Sequence, residues 1–317
     1  MCYIYIIVVL REAQHFLRGE NMKYLLAIGN FFLIFLLCSC SPDQNSGKTK
    51  IAAGVPPIAG LASAIGGERM EIISILPSGR TPHDFTPNTA TVRQAAGAAL
   101  FLSAGMPFEN KITDFLAGQN KDVCDISDGI TRIEFHDGGT DAHHHHDGCS
   151  HDNHDPHIWL SPQNAVKISE NICAAFCRID PAGTEYYRKN LEIVKNELLA
   201  THQDIENRLA PFKGNVFFVY HPAFGYFADA YGLKQRAIEL NGREARADQL
   251  AQITREAKNA GVKVIFVQEQ FNPGSATALA KQIGGTVKPL DPLSGDLIGN
   301  FKEIANVLEK GFKSEIE

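Results

Sequence analysis

The sequence predicts an α/β protein of two lobes, each a parallel-type sheet flanked by helices, joined by one long α-helix. Short apolar runs alternate with stretches of helical periodicity, the pattern of layered α/β domains. An uninterrupted helical pattern over 181–212 divides two such alternating regions. The polar residues that follow several of the strands are of metal-binding type.

The elements follow in order. TKIAAGV (49–55) reads as a strand and PIAGLASAIGG (57–67) as the helix after it. MEIISILP (70–77) and ALFLSAG (99–105) are the second and third strands, with helical TATVRQAAGA (89–98) between them, and DVCDIS (122–127) is the fourth. A helix then runs from Ser161 to about Arg178. In the long helix, Asp180 offers an N-cap and Pro181 the first helical position, where its missing N–H costs nothing. Tyr187, Leu191, Val194, Leu198, His202, Ile205 and Leu209 keep a 3-4 spacing until Pro211 stops it. NVFFVY (215–220), LKQRAIEL (233–240), KVIFVQ (263–268) and GTVKPL (285–290) form the second strand set, with helices between.

The resulting organisation is a lobe over 49–180 carrying a histidine-rich loop at 141–156, the linking helix at 181–212, and a second lobe over 213–317. Ahead of these, MKYLLAIGNFFLIFLLCSC starts at Met22 with a lysine and an apolar stretch that is short for a membrane span, the pattern of a secretory signal. Residues 1–21 then read as an extension upstream of the true start, and 22–39 as the signal. Leu37-Cys38-Ser39-Cys40 resembles a lipobox, so Cys40 is the expected lipidation site and 40–48 a flexible tether. That exports the rest of the chain to an oxidising compartment. Disulfides among Cys124, Cys149, Cys173 and Cys177 are open there, although Cys173 and Cys177, four apart on a helix, read first as small core-facing residues. A formal net charge of −6 leaves no basic surface for nucleic acid.

Of the 12 histidines, seven lie in DAHHHHDGCSHDNHDPHIWLSP (141–162). Imidazole is the commonest protein metal ligand and is neutral near pH 7. Ligands of open α/β sheets bind beyond the carboxyl ends of the strands. There the sequence offers His83 in PSGRTPHDFTP, His157 in DPHIWLSP, His221 in HPAFGYF and Asp291 in DPLSG. Three imidazoles and a carboxylate make a closed set for a small divalent cation. Glu269 in VQEQF also follows a strand and is the alternative carboxylate.

PSGRTPHDFTP, DPHIWLSP, YHPAFGYF and LDPLSG resemble, in order and context, motifs of the metal-binding lipoproteins of bacterial ABC importers, the cluster A-I (ZnuA/TroA-like) zinc or manganese solute-binding proteins. The resemblance covers about residues 50–310, and DPHIWLSP is its most specific block. It implies two α/β lobes joined by one long rigid α-helix with the metal site between the lobes, and His83, His157, His221 and Asp291 as metal ligands. Two features depart from the pattern: a shorter, less acidic histidine insertion than zinc-type members carry, and Ser-Gly-Arg before Thr81. The imidazole-rich set favours Zn²⁺ over Mn²⁺ or Fe²⁺ as cargo. Asp155 is expected to orient His157. His143, His144, His145, His146, His151 and His154 read as an auxiliary loop, a collector or a sensor of zinc, whose removal costs less affinity than loss of His83 or His221. The implied protein is a monomeric, lipid-anchored, extracytoplasmic carrier that captures zinc for an ABC permease and is not an enzyme. Capture is expected to weaken as pH falls through the imidazole range. Rival classes are a manganese or iron carrier, a zinc hydrolase, for which no HExxH pair is present, a metal-binding adhesin, and a storage protein without a permease.

Overall fold

Eight short apolar runs become eight strands among the described residues of a computed structural model, which describes 47–135, 154–239, 245–271 and 273–314. Strands β1 (Thr49–Ala53), β2 (Met70–Ser74), β3 (Leu100–Ser103) and β4 (Asp122–Asp125) form one all-parallel sheet in the order β2-β1-β3-β4. Strands β5 (Val216–Val219), β6 (Lys234–Ala237), β7 (Val264–Val267) and β8 (Thr286–Pro289) repeat that plan as β6-β5-β7-β8. In each sheet the chain reverses its direction of travel between the two middle strands, and a crevice opens at their carboxyl ends. The middle strands β3 and β7 are buried at every position, because helices cover both faces of a parallel sheet.

The helices of the first lobe are α1 (Pro56–Gly66), α2 (Thr89–Ala96), α3 (Asn110–Ala117) and α4 (Pro162–Ile179). Helix α1 starts on Pro56 and buries Ile58, Leu61, Ala62 and Ile65, one face at 3-4 spacing. Helix α5 (Thr184–Leu209) links the lobes, and α6 (Gly225–Tyr231), α7 (Ala247–Asn259), α8 (Gly274–Ile283) and α9 (Leu297–Ser314) complete the second. Helices α3 and α9 add to those read from the sequence.

The linking helix differs from its sequence reading at its start. Pro181–Gly183 is a 3-10 turn, the α-helix proper begins at Thr184, and Asp180 makes no side-chain cap. The Asp180 carboxylate turns instead to the Arg69 guanidinium (2.7 Å) and the Tyr187 hydroxyl, partners that outcompete a cap by bringing charge and tertiary contact together. Its 26 residues give about 39 Å, enough to touch both lobes. Tyr187, Val194, Leu198, Thr201, Ile205 and Leu209 are its buried stripe. Near its end, Arg208 grips Glu309 (2.8 Å) and Asn306 of α9.

Alternation along the second sheet shows how the lobes are joined. Phe217, Val219, Val264 and Phe266 share one continuous core with the first lobe, α5 and α9. Their neighbours Phe218, Tyr220, Ile265 and Val267 point the other way, into a smaller core under α7 and α8. Cys173 is buried and Cys177 partly so, both against the main core as their spacing suggested; among the described residues these two and Cys124 form no disulfide, and Cys149 lies outside the described residues. No helix among the described residues is long and apolar enough to cross a membrane.

Candidate metal centre

The carboxyl ends of both sheets face each other, and three histidines meet there. His83, His157 and His221 place ligating nitrogens within 4.8 Å of one another. The His83 Nε2 lies 3.2 Å from that of His157 and 3.0 Å from that of His221. A zinc tetrahedron with Zn–N bonds of about 2.05 Å has an edge of about 3.3 Å, close to both of these separations. The cavity they line measures about 10 Å³, the scale of one small ion or one water.

Each histidine is set by its own local structure. His83 stands on the turn after β2, whose Phe85 packs edge-on against Phe108 and whose Pro87 carbonyl accepts from Lys111. As a residue it is exposed, but its ring tip is wedged between the other two imidazoles. Burial of the ring, together with those two neighbours, pushes its pKa down to about 2.

His157 is 2% exposed. In Asp155-Pro156-His157 the proline fixes the backbone so that the Asp155 carboxylate folds back over residue 157. Asp155 Oδ1 accepts from the His157 backbone N–H (2.9 Å) and lies 2.7 Å from its ring Nδ1. A carboxylate only accepts, so Nδ1 carries the proton and Nε2 presents its lone pair to the cavity.

His221 follows β5 and Tyr220, 5% exposed. Glu239 Oε2 lies 3.2 Å from its Nδ1 and imposes the same tautomer. The Gln268 amide clamps its backbone from both sides, donating to the carbonyl (2.6 Å) and accepting from the N–H (3.2 Å). Phe271 stacks on its ring at 5.2 Å. Burial lowers its pKa, against the opposing pull of Glu239. With His83 and His221 both held below the ordinary imidazole range, the pH fall-off expected from the sequence moves to lower pH.

Inter-lobe contacts hold this geometry. Trp159 Nε1 donates to the Pro292 carbonyl (2.8 Å), and the Tyr226 hydroxyl donates to that of Asp155 (3.2 Å). Helix α1 meets the Gly295 loop at Gly60, where an added Cβ would lie 1.8 Å from the Gly295 oxygen.

Asp291 is not brought into the three-histidine group. Its Oδ1 accepts from Leu293 N–H (2.9 Å) and from the Gln270 amide (3.2 Å), the latter itself in the cavity wall. Glu269 is exposed and also outside the group, because the residues on either side of it, Gln268 and Gln270, take the inward positions. His154 is exposed and pairs its backbone with Glu134. His143, His144, His145, His146, His151 and Cys40 lie outside the described residues. Three supporting residues escaped the sequence reading: Glu239, Gln268 and Gln270. Glu239 had a signal, since it follows β6 just as His221 follows β5.

A family description, zinc-uptake complex component A, periplasmic (ZnuA), matches residues 51–311. The chain belongs to the ZnuA family. It is 28% identical over 269 residues to a putative metal-binding protein of Treponema pallidum, covering 81% of this chain and 85% of that one. It is 26% identical over 307 residues to the zinc-binding lipoprotein AdcA of Streptococcus pneumoniae serotype 4, across 92% of this chain but only 60% of AdcA. A crystal structure of ZnuA superposes with a TM-score of 0.76 at 29% identity, covering 84% of this chain and 99% of that one. The two-lobe architecture on a long helix is thus that of the ZnuA family.

Proposed function

We propose that this chain captures Zn²⁺ outside the cytoplasm and delivers it to an ABC-type permease. The observation that carries the reading is the convergence of the His83, His157 and His221 imidazoles on a cavity the size of one ion, in a member of the ZnuA family. Neutral imidazoles bind Zn²⁺ more tightly than Mn²⁺ or Fe²⁺, and the Asp155 and Glu239 carboxylates hold the Nδ1 protons of His157 and His221 so that each Nε2 is free to bind. The low pKa of His83 means that it gives up no proton on capture near neutral pH. The lobes share one apolar core, so the site is pre-organised and little ordering is spent on binding. Cys40 anchors the chain to a membrane, and the protein acts as a monomer beside its permease. The sequence relationship to AdcA, a zinc-binding lipoprotein, supports both cargo and anchoring.

Cells lacking the gene should fail to grow under a zinc chelator and recover with the wild-type gene or with added zinc. His221→Ala should not restore growth. Recovery by His221→Ala equal to wild type would contradict the reading.

A further inference from the structure

Gln270 stands in the wall of the histidine cavity. Its side-chain nitrogen lies 3.2 Å from Asp291 Oδ1, and this fixes which way the amide faces, because a carboxylate oxygen needs a donor. The other end, Oε1, is buried and meets no donor among the described residues. A buried acceptor without a partner is costly, so its place demands an explanation.

The surroundings supply one. The Nε2 atoms of His157 and His221 present lone pairs, since Asp155 and Glu239 hold the Nδ1 protons. Three imidazoles leave one corner of a zinc tetrahedron to fill. Asp291 stands outside the three-histidine group, with Oδ1 held by two N–H donors, and a carboxamide oxygen is not among the usual protein ligands of zinc. Water bound to zinc, by contrast, has protons to donate.

We propose that Gln270 governs the fourth coordination position: its Oε1 accepts a hydrogen bond from a zinc-bound water, and Asp291 orients the Gln270 amide instead of binding the ion. This rests on the zinc-capture reading above. The arrangement leaves one exchangeable corner, through which an incoming ligand can take the ion during delivery.

The test uses the purified protein, its Gln270→Met, Asp291→Asn and His83→Ala variants, zinc affinity by chelator competition, and the visible spectrum of bound Co²⁺. Methionine keeps the length of glutamine without its acceptor. Asparagine keeps an acceptor for Gln270 and Leu293 without the charge. Gln270→Met should weaken zinc binding about 10- to 100-fold, the usual cost of losing a residue that supports a metal site, and change the Co²⁺ spectrum. Asp291→Asn should cost less and keep the wild-type spectrum. Wild-type affinity and spectrum in Gln270→Met would overturn the proposal. A loss in Asp291→Asn as deep as in His83→Ala would make Asp291 a direct ligand and overturn it too. Melting of the metal-free variants checks their folding; should Gln270→Met melt early, the Asp291→Asn spectrum decides alone. Undiminished binding by His83→Ala would instead remove the underlying zinc reading.

Discussion

Asp155 offers a graded perturbation of the centre. Asp155→Ala removes the acceptor of two donors at once, the His157 backbone N–H at 2.9 Å and its Nδ1–H at 2.7 Å, in a place where both residues are 2% exposed. Each buried donor left unpaired costs about 1–3 kcal/mol, so the total is about 2–6 kcal/mol. Part of this falls on the metal-free fold. The ring part falls on binding, because nothing then holds the proton on Nδ1, and about 10- to 100-fold of zinc affinity is lost. Asp155→Asn keeps an acceptor in the same place and loses only the charge, so its effect should lie between wild type and alanine. Urea unfolding of the metal-free protein and chelator competition for zinc measure the two parts separately. Wild-type zinc affinity in Asp155→Ala would refute the reasoning, as would an asparagine variant worse than the alanine one.

Other outcomes follow from the same geometry. Gly60→Ala would put a Cβ 1.8 Å from the Gly295 oxygen, so the lobes must part; zinc affinity and thermal midpoint should fall together, and a silent variant would mean that this contact is not rigid. Glu109 is 1% exposed, and burial, opposed by hydrogen bonds from Ser103 and nearby backbone N–H groups, raises its pKa from 4.5 to about 7. The folded state therefore holds this proton more tightly than the unfolded one between those pH values. The Glu109 contribution to stability should fall by about 3 kcal/mol as pH rises through that window, and Glu109→Gln should remove this part of the pH dependence in urea titrations. Zinc affinity should change less between pH 7 and pH 6 than free imidazole ligands would give, because burial already keeps His83 and His221 neutral there; a steep loss over that unit would contradict the assignment of the shifts.

What was legible in the sequence has a physical pattern. Strands such as VIFV and LFLS stand out because parallel sheets are buried on both faces, so their runs are apolar at every position. His157 and His221 were legible because they lie directly beyond apolar elements, where a polar residue is conspicuous. Glu239 and Gln268 were not, because their meaning comes from register. Pairing of β6 with β5 carries Glu239 alongside His221, its N–H donating to the Tyr220 carbonyl, and β7 sets Gln268 against the His221 backbone. Spacing along one strand contains no such information. Asp291 was legible by its position after β8; that it stands outside the three-histidine group, with Oδ1 accepting from Leu293 and Gln270, is a local pairing visible only in three dimensions. The start of the linking helix was misplaced for a similar reason: the partners of Asp180, Arg69 and Tyr187, include one more than a hundred residues away.

The central claim is that three imidazoles hold one zinc ion between the lobes. Metal content and competitive binding of Zn²⁺, Mn²⁺, Fe²⁺, Ni²⁺ and Cu²⁺, on wild type and His83→Ala, test it most directly. One tightly held zinc per chain that disappears in the variant is the expected result. Tight manganese or iron in its place, or zinc fully retained by His83→Ala, would contradict the cargo or the ligands.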